Sequence, residues 1–243
     1  MIEKNFSQLT LDGCKKEFIS VMDSLSYSHN RWQVFCDFVE MSAIAISNTS
    51  DMIHYEEREA RYKEIMAGYS KMDADKFVDL LSLVMAACRR CEDNPRDILG
   101  ELFHQMNLQN EWKGQFFTPS HLCSFMAELQ MGDIDDKLNE KGYVTVSDPC
   151  CGAGAMIIGF ADAMCRHKYD YTKMMRATVT DIDIRCVHMA YIQLSLYGIP
   201  AVVIHGDSLV LTEWSHWYTP SMCAVLDREA TEQKEQPLEA ITA

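Results

Sequence analysis

A short β-branched run that turns through glycines into an apolar helix is the feature that most restricts what this chain can fold into. Tyr143-Val144-Thr145-Val146-Ser147-Asp148 has the Val and Thr content of a strand. It passes directly into Pro149-Cys150-Cys151-Gly152-Ala153-Gly154 and then into an apolar helical stretch through Met164. Two further strand patterns follow. Ala177-Thr178-Val179-Thr180 precedes Asp181-Ile182-Asp183, a helix spans about Arg185 to Tyr197 and stops at Gly198, and Ala201 to Ile204 precedes His205-Gly206-Asp207. Strand, helix, strand, helix, strand predicts an α/β fold with a parallel sheet and right-handed crossovers. Met222-Cys223-Ala224-Val225-Leu226 reads as a short fourth strand, and the charged and small residues from Asp227 to Ala243 read as a polar tail with little fixed structure.

Upstream of these strands the apolar period is helical. Trp32, Phe35, Cys36, Val39, Ala43 and Ile46 recur at i, i+3, i+4 and i+7, as do Phe77, Leu80, Leu81, Val84 and Cys88, and then Ile98, Leu99, Leu102, Phe103 and Met106. Pro95 stands near the start of the last of these. The organisation expected is a helical domain over 1–110, an α/β domain over 111–226 and a polar tail over 227–243.

Composition narrows the partners. Against 22 basic residues stand 36 acidic ones, a net charge of −14, which repels a phosphate backbone unless positive charge is gathered locally. The basic clusters at Arg58, Arg61 and Lys63 and at Arg89 and Arg90 have acidic neighbours and read as solvated helix faces, so contact with DNA is expected only through an assembly or a local patch. Ten cysteines without a dense framework suit a reducing cytoplasm, and Cys88 and Cys91, with no second pair, read as helix cysteines with no metal. No stretch approaches the ~20 apolar residues of a membrane helix, and Met1 to Gln8 lacks a signal core, so no membrane association is expected.

The strand ends carry the chemistry. Gly152 and Gly154 let the backbone approach a ligand and aim free helix N–H groups at a negative group, although a plain tight turn would use the same residues. Asp148, Asp181 and Asp207 each follow a successive strand, at the edge where open parallel sheets bind ligands. Each acid alone could be a helix cap. Together they suit a ligand with cationic and hydroxyl groups: an acid after the second strand can accept from both ribose hydroxyls, and one after the third from an adenine amino group. S-adenosylmethionine offers a ribose, an adenine, an ammonium and a sulfonium.

Four segments resemble, in order, the motifs of adenine-N6 DNA methyltransferases: Gly114-Gln115-Phe116-Phe117-Thr118-Pro119, Asp148 through Gly154, Asp181-Ile182-Asp183 and Gly206-Asp207-Ser208-Leu209. The nearest likeness is to the modification subunit of type I restriction systems, whose Gln-Phe-Phe-Thr-Pro motif also follows a segment similar to Asp97-Ile98-Leu99-Gly100-Glu101-Leu102-Phe103. The resemblance covers about Asp97 to Leu209. It implies a Rossmann-like methyltransferase fold that binds S-adenosylmethionine, with Phe117, Thr118 and Pro119 closing over the methionine part. Asp148, Gly152 and Gly154 would line its ammonium and carboxylate, Asp181 the ribose and Asp207 the adenine.

The same family holds the target amino group with an Asn-Pro-Pro-aromatic motif after its fourth strand. No Asn-Pro-Pro occurs in this sequence, and after Leu226 the chain reads Asp227-Arg228-Glu229 and ends 17 residues beyond Leu226. An incomplete sheet is therefore expected, with an open edge that favours partner subunits or a homodimer. Two functions are compatible with this: an adenine-type DNA methyltransferase working within an assembly, or an inactive homologue that binds cofactor or protein as a regulator.

Overall fold

The structure is a computed structural model that describes residues 6–27, 29–108 and 118–235. Five helices come first: α1 (Leu11–Leu25), α2 (Arg31–Ser47), α3 (Tyr55–Met66), α4 (Lys71–Arg89) and α5 (Ile98–Gln105). Four of them start on a polar side chain that accepts an otherwise orphaned amide. Thr10 accepts from Gly13, Asn30 from Gln33, Ser70 from Asp73 and Asp97 from Gly100. Pro95 stands before that last cap, outside the helix.

The α/β part runs α6 (Ser120–Gln130), α7 (Ile134–Lys141), β1 (Val144–Asp148), α8 (Ala155–Arg166), α9 (Tyr171–Met174), β2 (Met175–Asp181), α10 (Ile184–Leu196), β3 (Ala201–Asp207), β4 (Thr212–Tyr218) and α11 (Pro220–Glu235). The sheet order is β1-β2-β3-β4. The first three strands are parallel, with Val146 opposite Ala177 and Val179 opposite Val203, while β4 returns antiparallel to β3. α10 packs on α2, α4 and α5, and α8 packs on α6. Buried residues of both parts, from Phe18 and Phe103 to Tyr191 and Val203, form one continuous apolar cluster. Among the described residues, no helix is long and apolar enough to cross a membrane.

Two sequence expectations fail here. Met222–Leu226 is not a fourth strand: it lies inside α11, which continues through Asp227 and Arg228 to Glu235, so the first part of the tail expected to have little fixed structure is helical, and residues 236–243 lie outside the described residues. Pro220 opens that helix, and the buried Thr219 hydroxyl accepts from Met222 N at 3.3 Å and from Ala201 N at 2.9 Å while donating to Ile199 O. A five-residue apolar run has no period that separates strand from helix, so its flanks decide. The strand that does exist, β4, holds Glu213, Ser215 and His216 between aromatic residues and hides the alternation.

The basic cluster also departs from expectation. Arg58 is buried, not solvated. Its guanidinium donates to Ser47, to Asp51 at 2.7 Å and to the His216 carbonyl at 2.9 Å, and it lies 3.9 Å over the Trp217 ring. Arg61 pairs with Glu40 and Glu64, Lys63 with Glu59 and Arg89 with Glu92. These cations are engaged inside the fold or on acidic neighbours.

Candidate functional site

The carboxyl ends of β1, β2 and β3 lie side by side, and each ends in an aspartate. Pairing fixes this: Asp148 stands opposite Val179, and Asp181 opposite His205. The loop after β1 is the hub. Gly152 and Gly154 take left-handed φ values of 54° and 89°, a region where an added Cβ is strained. Cys151 N donates to Thr180 O at 2.9 Å and Gly154 N to Cys151 O at 2.8 Å, so the loop closes tightly and hands the chain to α8. Gly154 is the N-cap of that 12-residue helix.

Asp181 is buried and fastened on both sides. One oxygen accepts from Gly152 N at 2.8 Å and the other from Asp183 N at 2.9 Å. Burial raises its pKa, and the charges of Asp183 and Asp148 add to the rise that the two amide bonds oppose. Each carboxylate oxygen has a second lone pair, so the group keeps two acceptor positions for a hydroxyl pair. Its neighbour Asp183 is committed elsewhere, capping α10 through Arg185 N and pairing with the Arg185 side chain.

Asp148 accepts from Cys150 N at 3.0 Å, and burial pushes its carboxyl above the ordinary range. It lines an open cleft with Val146 and Ser147 of β1, Ala127 and Gln130 of α6, and Met156 and Phe160 of α8. Asp207 accepts from Leu209 N at 2.9 Å and Val210 N at 3.3 Å through one oxygen. Cys150 Sγ lies 3.9 Å from Ser208 Oγ, which brings the loops after β1 and β3 together. Beyond them Leu209, Val210 and Leu211 are exposed, and Trp214 stacks edge-on against His205 at 4.6 Å.

Thr118 and Pro119 are exposed at the start of α6, where the Thr118 carbonyl accepts from Cys123 Sγ at 3.7 Å. Phe117 lies outside the described residues. α6 itself is held against α8 by small residues, since a Cβ at Gly159 would come within 2.9 Å of Cys123 Cβ. All ten cysteines are free thiols, Cys88 and Cys91 are buried, and burial pushes Cys88 up to about 12.

Sequence reasoning missed the supports behind the loop. Gln193 of α10 is fully buried and donates to the Ala153 carbonyl. Its signal was a lone amide inside the apolar run Tyr191-Ile192-Gln193-Leu194.

Gly206 sets the position of Asp207. A β-bulge falls between His205 and Gly206, where a Cβ would stand 2.5 Å from Thr212 O and 3.3 Å from Glu213 Cα, both main chain. Gly206→Ala is therefore expected to cost about 1–3 kcal/mol in urea unfolding, because the β4 backbone has to move away.

A family model described as N-6 DNA Methylase matches residues 94–228. No curated protein and no solved structure matches the chain.

Proposed function

Residues 94–228 are more than half of the 243, so the chain belongs to the N-6 DNA methylase family, and on that premise we propose that it binds S-adenosylmethionine at the carboxyl ends of β1, β2 and β3 within a Rossmann-like domain. It would do so as one part of an assembly that methylates adenine N6 in DNA, resembling the modification subunit of type I restriction systems. The observation that carries the reading is the placing of three aspartates at neighbouring strand ends beside one glycine loop, which the bond from Gly152 N ties to Asp181. The residues fit the cofactor's donor set. Asp181 has acceptors for a ribose diol, and the second oxygen of Asp207 has no partner among the described residues and suits an adenine amino group. Asp148 suits an ammonium, and the first amides of α8 suit a carboxylate. When bound, the cofactor supplies an electrophilic methyl group. The chain's own residues orient it, and Thr118 and Pro119, with Phe117, would close over its methionine part.

An open flank supports the reading that partner subunits or a second copy pack on this chain. Among the described residues β1 pairs on one side only, and Val144 to Ser147 carry no charge and no proline to guard the free edge. Beside it, α6 exposes Leu122, Phe125, Met126 and Leu129 at helical spacing. Arg58, Arg61, Lys63 and Arg89 each pair with an acid of this chain, which supports DNA contact through such an assembly or another local basic patch.

A second reading is a cofactor-binding homologue that transfers no methyl group. It is favoured by the absence of Asn-Pro-Pro from the 243 residues. Asp227, Arg228 and Glu229 do not replace that motif, because they sit in mid-helix and not in a loop at a strand end. Incubation with methyl-labelled cofactor and mixed DNA, alone and with co-purified partners, separates the two. Label in adenine supports the first, and cofactor binding without label under either condition supports the second.

A further inference from the structure

Residues 96–100 and the glycine loop are far apart in sequence, and α10 holds both. Gln193 Nε2 donates to the Ala153 carbonyl at 2.8 Å and to Asp97 Oδ1 at 2.8 Å, while its Oε1 accepts from Leu99 N at 2.9 Å. One turn on, the Tyr197 hydroxyl donates to Arg96 O at 2.8 Å and accepts from Arg96 N at 3.1 Å. Asp97 Oδ1 also caps α5 through Gly100 N at 2.8 Å. Position 100 has to be glycine for this, because a Cβ there would fall 2.0 Å from Asp97 Oδ2. One turn before Gln193, Ala190 supplies the bed for the loop, with its Cβ 3.4 Å from where a Gly154 Cβ would stand.

Gln193 is therefore not a generic core residue. A buried amide whose three hydrogen bonds all reach outside its own helix, two of them to main-chain groups, fixes the peptide it touches. Turning the Ala153 carbonyl inward aims Gly154 N at Cys151 O and orients the start of α8.

We propose that Gln193, anchored by Asp97, is a positioning residue that presets the loop from Cys151 to Gly154 for the methionine end of the cofactor, and so links α5 to the cofactor site. The proposal rests on the S-adenosylmethionine reading above. It makes the loop's shape depend on α5, an element that itself lies outside the three strand ends.

The test uses the full chain and three variants. Gln193→Met keeps the volume and removes all three hydrogen bonds. Asp97→Ala removes the Oδ1 acceptor for Gln193 and for the α5 cap. Ala190→Val crowds Gly154 from the same helix without touching Gln193. The readouts are calorimetric affinity for S-adenosylmethionine and for adenosine, and hydrogen exchange at the Ala153 to Ala155 amides without ligand.

Gln193→Met is expected to bind S-adenosylmethionine about tenfold more weakly, with faster exchange at Ala153 to Ala155, and adenosine as the wild type does. Adenosine carries only the groups assigned to Asp181 and Asp207. Asp97→Ala is expected to shift S-adenosylmethionine affinity and Ala153 to Ala155 exchange in the same direction as Gln193→Met. Should Gln193→Met fail to fold, Ala190→Val carries the same expectation for S-adenosylmethionine against adenosine. Unchanged affinity and exchange in Gln193→Met overturn the proposal, as does equal loss of both ligands in a folded variant. A wild-type chain that binds neither ligand overturns the cofactor reading, while amide exchange still decides whether Gln193 holds the loop.

Discussion

Asp181→Ala is expected to weaken S-adenosylmethionine binding by about ten- to a hundredfold, corresponding to loss of a charged hydrogen bond of ~1.5–3 kcal/mol. The geometry gives two routes to this loss. The carboxylate's remaining lone pairs face no other partner among the described residues, so a ribose hydroxyl loses its acceptor. The same side chain ties Gly152 N to the end of β2, so the glycine loop loosens as well. The sheet should survive, because the pairing of β2 with β1 and β3 is made by main chain and Asp181 is its last residue. Calorimetry for affinity and circular dichroism for fold check both halves. An Asp181→Ala protein that binds as tightly as the wild type would remove Asp181 from the site.

The largest effect on stability is expected from Arg58→Ala, about 3–5 kcal/mol in urea unfolding. Arg58 is buried with Asp51, whose side chain is also bonded by His54. Burial alone would raise the Asp51 pKa, but the His54 bond and the Arg58 charge outweigh it and hold the carboxyl below its ordinary value. Removing the guanidinium leaves that carboxylate without its buried cation, strips a donor from the His216 carbonyl and uncovers the Trp217 ring. The contact joins α3 to β4, so the variant should also loosen the edge of the sheet. Arg58→Lys should recover only part of the loss, since one ammonium does not reproduce a planar fork on three acceptors. A loss below about 1 kcal/mol would mean that the pair behaves as a solvated one.

Which parts of this were readable beforehand follows from what each depends on. The three parallel strands, their terminal aspartates and the helices α8 and α10 between them are local: β-branched runs, glycine turns and a helix period of 3.6 residues each leave a mark in the sequence. Observed strands extend one to three residues beyond the runs Ala177–Thr180 and Ala201–Ile204, because pairing continues past the apolar residues into His205 and Asp207. Arg58 was unreadable because nothing in its spacing from Arg61 and Lys63 says that one of the three turns inward onto Asp51. The strand β4 goes unread, and the start of α11 reads as a strand, because the first is polar and aromatic while the second opens with apolar residues. The candidate site divides the same way. Asp148, Asp181 and Asp207 stand out as strand ends, whereas Gln193 acts through contacts 40 and 94 residues away along the chain, to Ala153 and Leu99.

Calorimetric titration of the purified full chain with S-adenosylmethionine tests most directly whether three strand ends and one glycine loop form a site for that cofactor. Saturable binding, displaced by S-adenosylhomocysteine and weakened at least tenfold in Asp181→Ala, is the result predicted here. No heat of binding from a chain that circular dichroism shows to be folded would contradict it.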